Sequence, residues 1–319
     1  SEENAFSIDQ EFFSALLKVR HAASKEESRY NINGIYFDKD IVATDGHRLS
    51  LTRDTNPLRN TLVPSEFVNT ILRLRRNGSQ AYRASRSDTT IFFYSDDLMI
   101  HCRLIDGEFP DYEQVIPQTH ERTATMDKRK LYHAIKRITL MSDKSNQIRF
   151  EFNGDRVLLT SASPDAGEAR EELESHYESN SHEEISFAIG FAGKYILDVL
   201  EILEGDQVAF LMNDPGEALR IEEKESTHII MPVRLMESFQ QEEKQVMVGQ
   251  ARRALQAYRP EPGAPQPEEG HPDRDLLSQI GGRVDRIFGM LPPQVYGATS
   301  GDKTPVRRLL REAQRLRRR

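Results

Sequence analysis

The sequence predicts an α+β fold in which one unit is repeated, each copy packing two helices on antiparallel sheets, with a helical or disordered C-terminal tail. Three observations carry this reading. Short β-branched and aromatic runs alternate with turn residues over the first 235 positions. Four segments with helical apolar spacing interrupt them. The first and third of those helices align at an offset of 118, SIDQEFFSALLK from Ser7 against TMDKRKLYHAIK from Thr125. They share Asp9 with Asp127, Lys18 with Lys136 and, further on, Ser24 with Ser142.

Taken in order, the first helix runs from about Asp9 to Ala23, with Phe13, Leu16 and Leu17 on one face. NGIYF at Asn33 reads as a strand, and Pro64 ends another before a helix from Ser65 to Arg76. TIFFYS at Thr90 and LMIHCRLI at Leu98 are strands. The third helix, Asp127 to Met141, sets Leu131, Ala134, Ile135 and Ile138 at i, i+3, i+4 and i+7. QIRFEF at Gln147, RVLLTS at Arg156 and QVAFLM at Gln207 are strands around a fourth helix, Ala192 to Leu203, which repeats that spacing with Ile196, Val199, Leu200 and Leu203. The expected units are 1–119, 120–235 and an extension 236–319 containing a Pro-rich linker, 259–272.

Charge divides the chain in the same way. Residues 236–319 hold 15 Lys+Arg against 11 Asp+Glu and 8 of the 15 prolines, whereas residues 1–235 hold 28 basic and 40 acidic side chains. The last 17 residues carry 8 basic groups and one acid. Within the acidic body, basic residues gather on helices: Arg129, Lys130, His133, Lys136 and Arg137 opposite the apolar stripe of the third, and Lys18, Arg20, His21, Arg73, Arg75, Arg76 and Lys194 on the others. A solvated helix face is the plain explanation. The alternative is one cationic surface of helix backs that touches phosphates without reading bases, on a protein whose acidic remainder repels DNA.

Catalytic and metal-binding patterns are not found: no CxxC, no HExxH, no GxSxG, and no ligand spacing among the nine histidines. No cofactor, metal or catalytic residue is therefore expected. GATSGDKT, Gly297 to Thr304, is one residue from a phosphate-binding loop, but Asp302 stands where the second glycine belongs and would repel a nucleotide. Asn77-Gly78-Ser79 is formally a glycosylation sequon and reads as a turn. No stretch approaches the roughly 20 apolar residues of a membrane span. The single cysteine, Cys102, fits a reducing compartment, so a cytoplasmic location is expected. The chain opens on Ser1 rather than Met, which reads as processing or cutting.

Four segments carry a resemblance. RYNING (Arg29 to Gly34), ATDGHRL (Ala43 to Leu49), DGEFPDYEQVIP (Asp106 to Pro117) and IIMPVRL (Ile229 to Leu235) are similar, in order and spacing, to the β sliding clamp of bacterial DNA polymerase III. The likeness covers about residues 4–235 and corresponds to that family's second and third domains; the first domain and any counterpart of Met236 to Arg319 are not matched. The resemblance implies a non-enzymatic processivity factor, a closed ring with helices lining the hole. It slides on duplex DNA without sequence preference, is placed there by a clamp loader, and tethers polymerase and repair proteins. Family rings use six similar domains, so a two-domain subunit would close as a homo-oligomeric trimer. The alternative is an open clamp-like adaptor that presents the partner pocket without encircling DNA.

By motif, the resemblance implies a partner-peptide pocket made of Ile32, Thr44, Gly46, His47, Arg48, Leu49, Pro110, Val115, Ile229, Ile230, Met231, Pro232 and Val233. Apolar side chains would form its floor, with Met231 adaptable to several partners. Gln114 stands where the family often has a basic residue. The DNA-facing set is Lys18, Arg29, Tyr30, Arg73, Lys130, Lys136, Arg137 and Lys194. For the tail, Glu242 to Tyr258, Arg274 to Leu291 and the basic end read as helical segments that serve as a nucleic-acid arm, a small domain, or a fused, autoinhibitory partner segment.

Overall fold

A computed structural model describes residues 5–26, 28–53, 56–74, 81–140, 146–163, 167–180 and 186–234. The Pro-rich linker, the basic end, the GATSGDKT segment and the Asn77 sequon lie outside them, as does the expected helix continuation at Arg75, Arg76 and Met141.

The first half runs β1 (Phe6–Ile8), α1 (Gln10–Val19), β2 (Gly34–Phe37), β3 (Asp40–Thr44), β4 (Arg48–Arg53), β5 (Thr61–Pro64), α2 (Ser65–Leu74), β6 (Tyr82–Arg86), β7 (Thr90–Tyr94) and β8 (Met99–Arg103). The second runs β9 (Arg122–Asp127), α3 (Lys128–Thr139), β10 (Gln147–Asn153), β11 (Arg156–Ser163), β12 (Gly167–Glu174), β13 (His176–Ser179), β14 (Ser186–Ala192), α4 (Gly193–Leu200), β15 (Gln207–Met212), β16 (Leu219–Glu223) and β17 (Ser226–Ile230). The repeated aspartates seen in the sequence have a local cause. Asp9 accepts a hydrogen bond from the Phe12 N–H at 2.8 Å, and Asp127 accepts one from the Lys130 N–H at 2.8 Å, so each opens its helix as an N-cap. The repeated lysines have parted, and Ser142, the counterpart of Ser24, lies outside the described residues. Lys18 is mostly covered and lies 3.9 Å from Glu204, whereas Lys136 is exposed and reaches over the Tyr132 ring.

Helix α1 buries Phe12, Phe13, Ala15, Leu16 and Val19, with Leu17 only partly covered. A 3-10 turn, Arg20–Ala22, continues it. In α3 the four residues at helical spacing are all buried, Leu131, Ala134, Ile135 and Ile138. Helix α4 stops at Leu200 rather than Leu203, and the Leu203 carbonyl instead accepts from Lys128 Nζ at 2.7 Å.

Strands β1-β6-β7-β8 form one sheet and β12-β11-β10-β14 another. A third sheet of nine strands, β13-β9-β15-β16-β17-β4-β3-β2-β5, crosses from one half to the other. The crossing is the antiparallel pair β17·β4, in register from Ser226↔Thr52 to Ile230↔Arg48. Each half has its own core, around Phe13, Leu16 and Phe93 in the first and Phe150, Phe191 and Phe210 in the second. A smaller cluster lies at the seam: Ile32, Val42, Leu49, Leu51, Leu62, Phe109, Tyr112, Ala218 and Ile229. Within it Tyr36 and Phe109 stack with ring centroids 4.7 Å apart.

Candidate partner-binding pocket at the seam between the halves

Where β4 meets β17, the turn from Thr44 to Arg48 is fixed by short-range polar bonds. Thr44 Oγ1 donates to the Arg48 carbonyl at 2.7 Å and accepts from the Gly46 N–H at 3.0 Å. Asp45 Oδ1 accepts from the His47 and Arg48 N–H groups at 2.9 and 3.0 Å. Gly46 sits at φ +86°, a conformation that favours glycine, and a Cβ there would meet the movable end of the Arg29 guanidinium at 2.7 Å. Across the seam, the Met231 N–H donates to the His47 carbonyl at 2.9 Å, extending the β17·β4 ladder past its last paired residues.

A cavity of about 230 Å³ opens here, lined by Arg29, Asn31, Ile32, Thr44, Gly46, Arg48, Leu49, Pro110, Asp111, Tyr112, Val115, Ile229 and Met231. Nine of the thirteen residues that the resemblance implied are among them. The other four are not. Ile230 alternates to the opposite face of β17 and is fully buried in the core of the second half. His47 offers its backbone carbonyl while its residue faces solvent; Val233 turns away, its N–H donating to the Gly190 carbonyl at 2.9 Å; and Pro232 lies outside the lining. Arg29, expected to face DNA, lines this cavity and donates to the Asp45 carbonyl at 2.8 Å. Asn31, Asp111 and Tyr112 were not singled out from sequence. Tyr112 is the most informative of these omissions, because an aromatic inside DGEFPDYEQVIP is a visible signal; its hydroxyl donates to Asp40 Oδ2 at 2.9 Å. Gln114 lies outside the lining and donates to Asp111 Oδ2 at 2.7 Å. Val115 and Met231 are 49% and 41% exposed, which leaves the cavity mouth apolar and open to a ligand.

Arg48 is 6% exposed and fully engaged. Its Nη1 lies 2.6 Å from Asp198 Oδ2, its Nε 3.1 Å from Asp45 Oδ2, and its guanidinium 4.5 Å from the Tyr195 ring centroid. Its Nη2 donates to the His21 carbonyl. Behind it runs a buried polar row. Arg48 Nη1 is 3.4 Å from His21 Nδ1, His21 Nε2 is 3.1 Å from Ser50 Oγ, and Ser50 Oγ is 2.9 Å from His228 Nδ1. Arginine can only donate, so His21 Nδ1 accepts, His21 Nε2–H donates to Ser50, and the Ser50 hydroxyl donates to His228. Burial, reinforced by the Arg48 charge, holds His21 down to about 3, and burial with Lys18 nearby holds His228 down to about 4.

The helix cations are partly neutralised by the protein itself. Lys130 pairs with Glu174 at 2.9 Å, Arg137 grips Glu171 with two bonds of 2.7 Å, and Lys194 pairs with Asp198. Their partners Glu171 and Glu174 belong to β12, a strand that sequence reasoning did not anticipate. The cationic surface expected from charge counting is therefore, at Lys130, Arg137 and Lys194, a set of ion pairs. Lys136, Arg73 and Tyr30 are exposed. Among the described residues no group of three or more His, Cys, Asp or Glu is placed to hold a metal ion. Nor is any described helix long and apolar enough to cross a membrane.

Comparison with known proteins agrees with this architecture. The family model for the DNA polymerase III beta subunit, central domain, matches residues 7–111, and that for the C-terminal domain matches residues 113–234. The beta sliding clamp of Caulobacter vibrioides is 30% identical over 236 residues, covering 68% of this chain and 62% of that protein. The beta sliding clamp of Escherichia coli K12 is 27% identical over 247 residues, covering 73% of this chain and 66% of its own. A sliding clamp from Bartonella birtlesii, solved bound to griselimycin, superposes with a TM-score of 0.69 at 27% identity, covering 73% of this chain and 67% of that one. The chain thus spans less than two thirds of the length of these curated relatives. With its central and C-terminal domains matched consecutively, the chain belongs to the DNA polymerase III beta-subunit family, the sliding clamps.

Proposed function

We propose that this chain is a DNA sliding clamp subunit, a non-catalytic processivity factor whose seam cavity receives short apolar peptides of polymerase and repair partners. The observation that carries the reading is the cavity itself. Ile32, Leu49, Pro110 and Val115 from one side and Ile229 and Met231 from the other converge on one open apolar space. Duplex DNA is the second partner, held without sequence preference by helix cations. Lys136, Arg73 and Tyr30 are the exposed candidates, with Lys18, Lys130, Arg137 and Lys194 contributing where their ion pairs open. The division at 119/120 and the extension from 236, loading onto DNA by a clamp loader, assembly into a homo-oligomeric ring and a cytoplasmic setting belong to the same reading.

The test is a titration of the full chain with a fluorescent peptide carrying a glutamine followed by spaced leucine and phenylalanine. Met231→Asp places a charge at the apolar mouth, and with Met231 41% exposed the domain itself stays folded. Peptide affinity should fall about 10- to 100-fold, corresponding to roughly 1–3 kcal/mol for a polar group pressed against apolar partner surface. Wild-type affinity in that variant moves the partner site elsewhere on the molecule.

A further inference from the structure

Helix α4 contributes no residue to the cavity lining, yet one of its side chains governs the wall. Asp198, 150 positions from Arg48 in sequence, binds Arg48 Nη1 at 2.6 Å. Arg48 is part of the cavity lining, and its guanidinium is engaged by Asp198, Asp45, the His21 carbonyl and the Tyr195 ring. The long side chain has torsional freedom enough to swing into the adjacent space of about 230 Å³ once an anchor is lost. Asp198 is the charged anchor supplied from the second half, beside the Tyr195 ring of the same helix. Its carboxylate is half-buried, and its charge is kept by the two cations that share Oδ2. Burial opposes ionisation, but the hydrogen bonds from Lys194 and Arg48 outweigh it and hold the carboxyl below its ordinary range.

We propose that Asp198 is a positioning residue for the partner pocket: from across the seam it holds the Arg48 guanidinium out of the cavity, so the pocket is open before a peptide arrives. Pre-organisation of this kind adds affinity because binding no longer has to displace and reorder the wall. Asp198 lies outside the cavity lining, so its effect on the pocket passes through Arg48. The inference rests on the reading of the seam cavity as the peptide site.

The deciding experiment is a double-mutant cycle on the full chain, with the labelled glutamine–leucine–phenylalanine peptide as probe. Asp198→Asn keeps the shape and removes the charge, and it should weaken peptide binding about 10-fold. Once Arg48→Ala has removed the guanidinium, the same Asp198→Asn change should have no further effect. A general loosening of the seam would instead lower affinity by the same factor in both backgrounds, and that result overturns the proposal, as does Asp198→Asn binding like wild type. If Asp198→Asn fails to fold, judged by its thermal melt, Asp198→Glu replaces it in both arms. It retains the charge on a stem one methylene longer and must lose affinity only while Arg48 is present. Failure of the wild-type chain to bind the peptide refutes the pocket reading itself, whereas normal wild-type binding with an insensitive Asp198 refutes only the positioning role.

Discussion

Mild acid should destabilise this protein before its carboxylates begin to titrate. The perturbation is a change from pH 7.5 to 5.0, and the responsible groups are His21 and His228, held neutral in the folded chain to about 3 and about 4. Each has an ordinary value of 6.5 when unfolded. Because the folded values are depressed, the unfolded chain binds more protons everywhere between 6.5 and the folded values. Stability is therefore full above 6.5 and is lost as pH falls through that window. At pH 5.0 each histidine withholds a proton whose uptake by the unfolded chain is worth about 2 kcal/mol, together roughly 4 kcal/mol. The cause is visible in the row: protonated His21 would present an N–H to the Arg48 guanidinium, and protonated His228 could no longer accept from Ser50. The other charged groups near the row are Arg48, Asp198, Asp45 and Lys18. Urea unfolding at four pH values between 7.5 and 5.0 should show a limiting slope of about 2.7 kcal/mol per pH unit. His228→Gln should halve it. A stability flat to within about 1 kcal/mol over that range would refute the neutral assignment of both rings.

Two further expectations concern the helices. Lys136→Ala should lower the salt slope of duplex binding by about 0.9, one phosphate contact, whereas Arg137→Ala should lower it by less because Arg137 is already held by Glu171; equal slopes for both variants count against this ranking. Asp127→Ala removes the cap on the Lys130 N–H and should cost about 1 kcal/mol of stability, measured as a shift in the denaturation midpoint, with an unchanged midpoint showing the cap to be dispensable.

What could be read from sequence followed local periodicity. Leu131, Ala134, Ile135 and Ile138 declare a helix because the period is local, and all four are buried. β12 escaped notice because GEAREELE carries four glutamates in eight residues; it is an outer strand with one side exposed, and two of its acids, Glu171 and Glu174, pair with α3 cations while Glu168 and Glu172 pair with Arg170 and Arg156. The family motifs located most of the cavity wall. They could not show that Ile230 faces the core while its neighbour Ile229 faces the cavity, which depends on strand register. The motif places Arg48 in the pocket wall, but its burial against Asp198, a partner too distant in sequence for any local pattern to reveal, is visible only in the fold.

The strand pair that joins the halves also governs how the molecule comes apart. β4 and β17 exchange backbone hydrogen bonds over five residue pairs, with Leu49, Leu51 and Ile229 packed beneath them. Opening the seam strips that ladder and uncovers apolar surface on both sides at once, so neither half can melt while the other keeps its edge intact. Amides of Leu49, Leu51 and Ile229 should therefore exchange with deuterium only through global unfolding, and the halves should disappear in a single cooperative transition. Separating them by cleavage near residue 120 would leave two unsatisfied strand edges, each a template for association with other chains. Two sequence domains, on this account, make one folding unit.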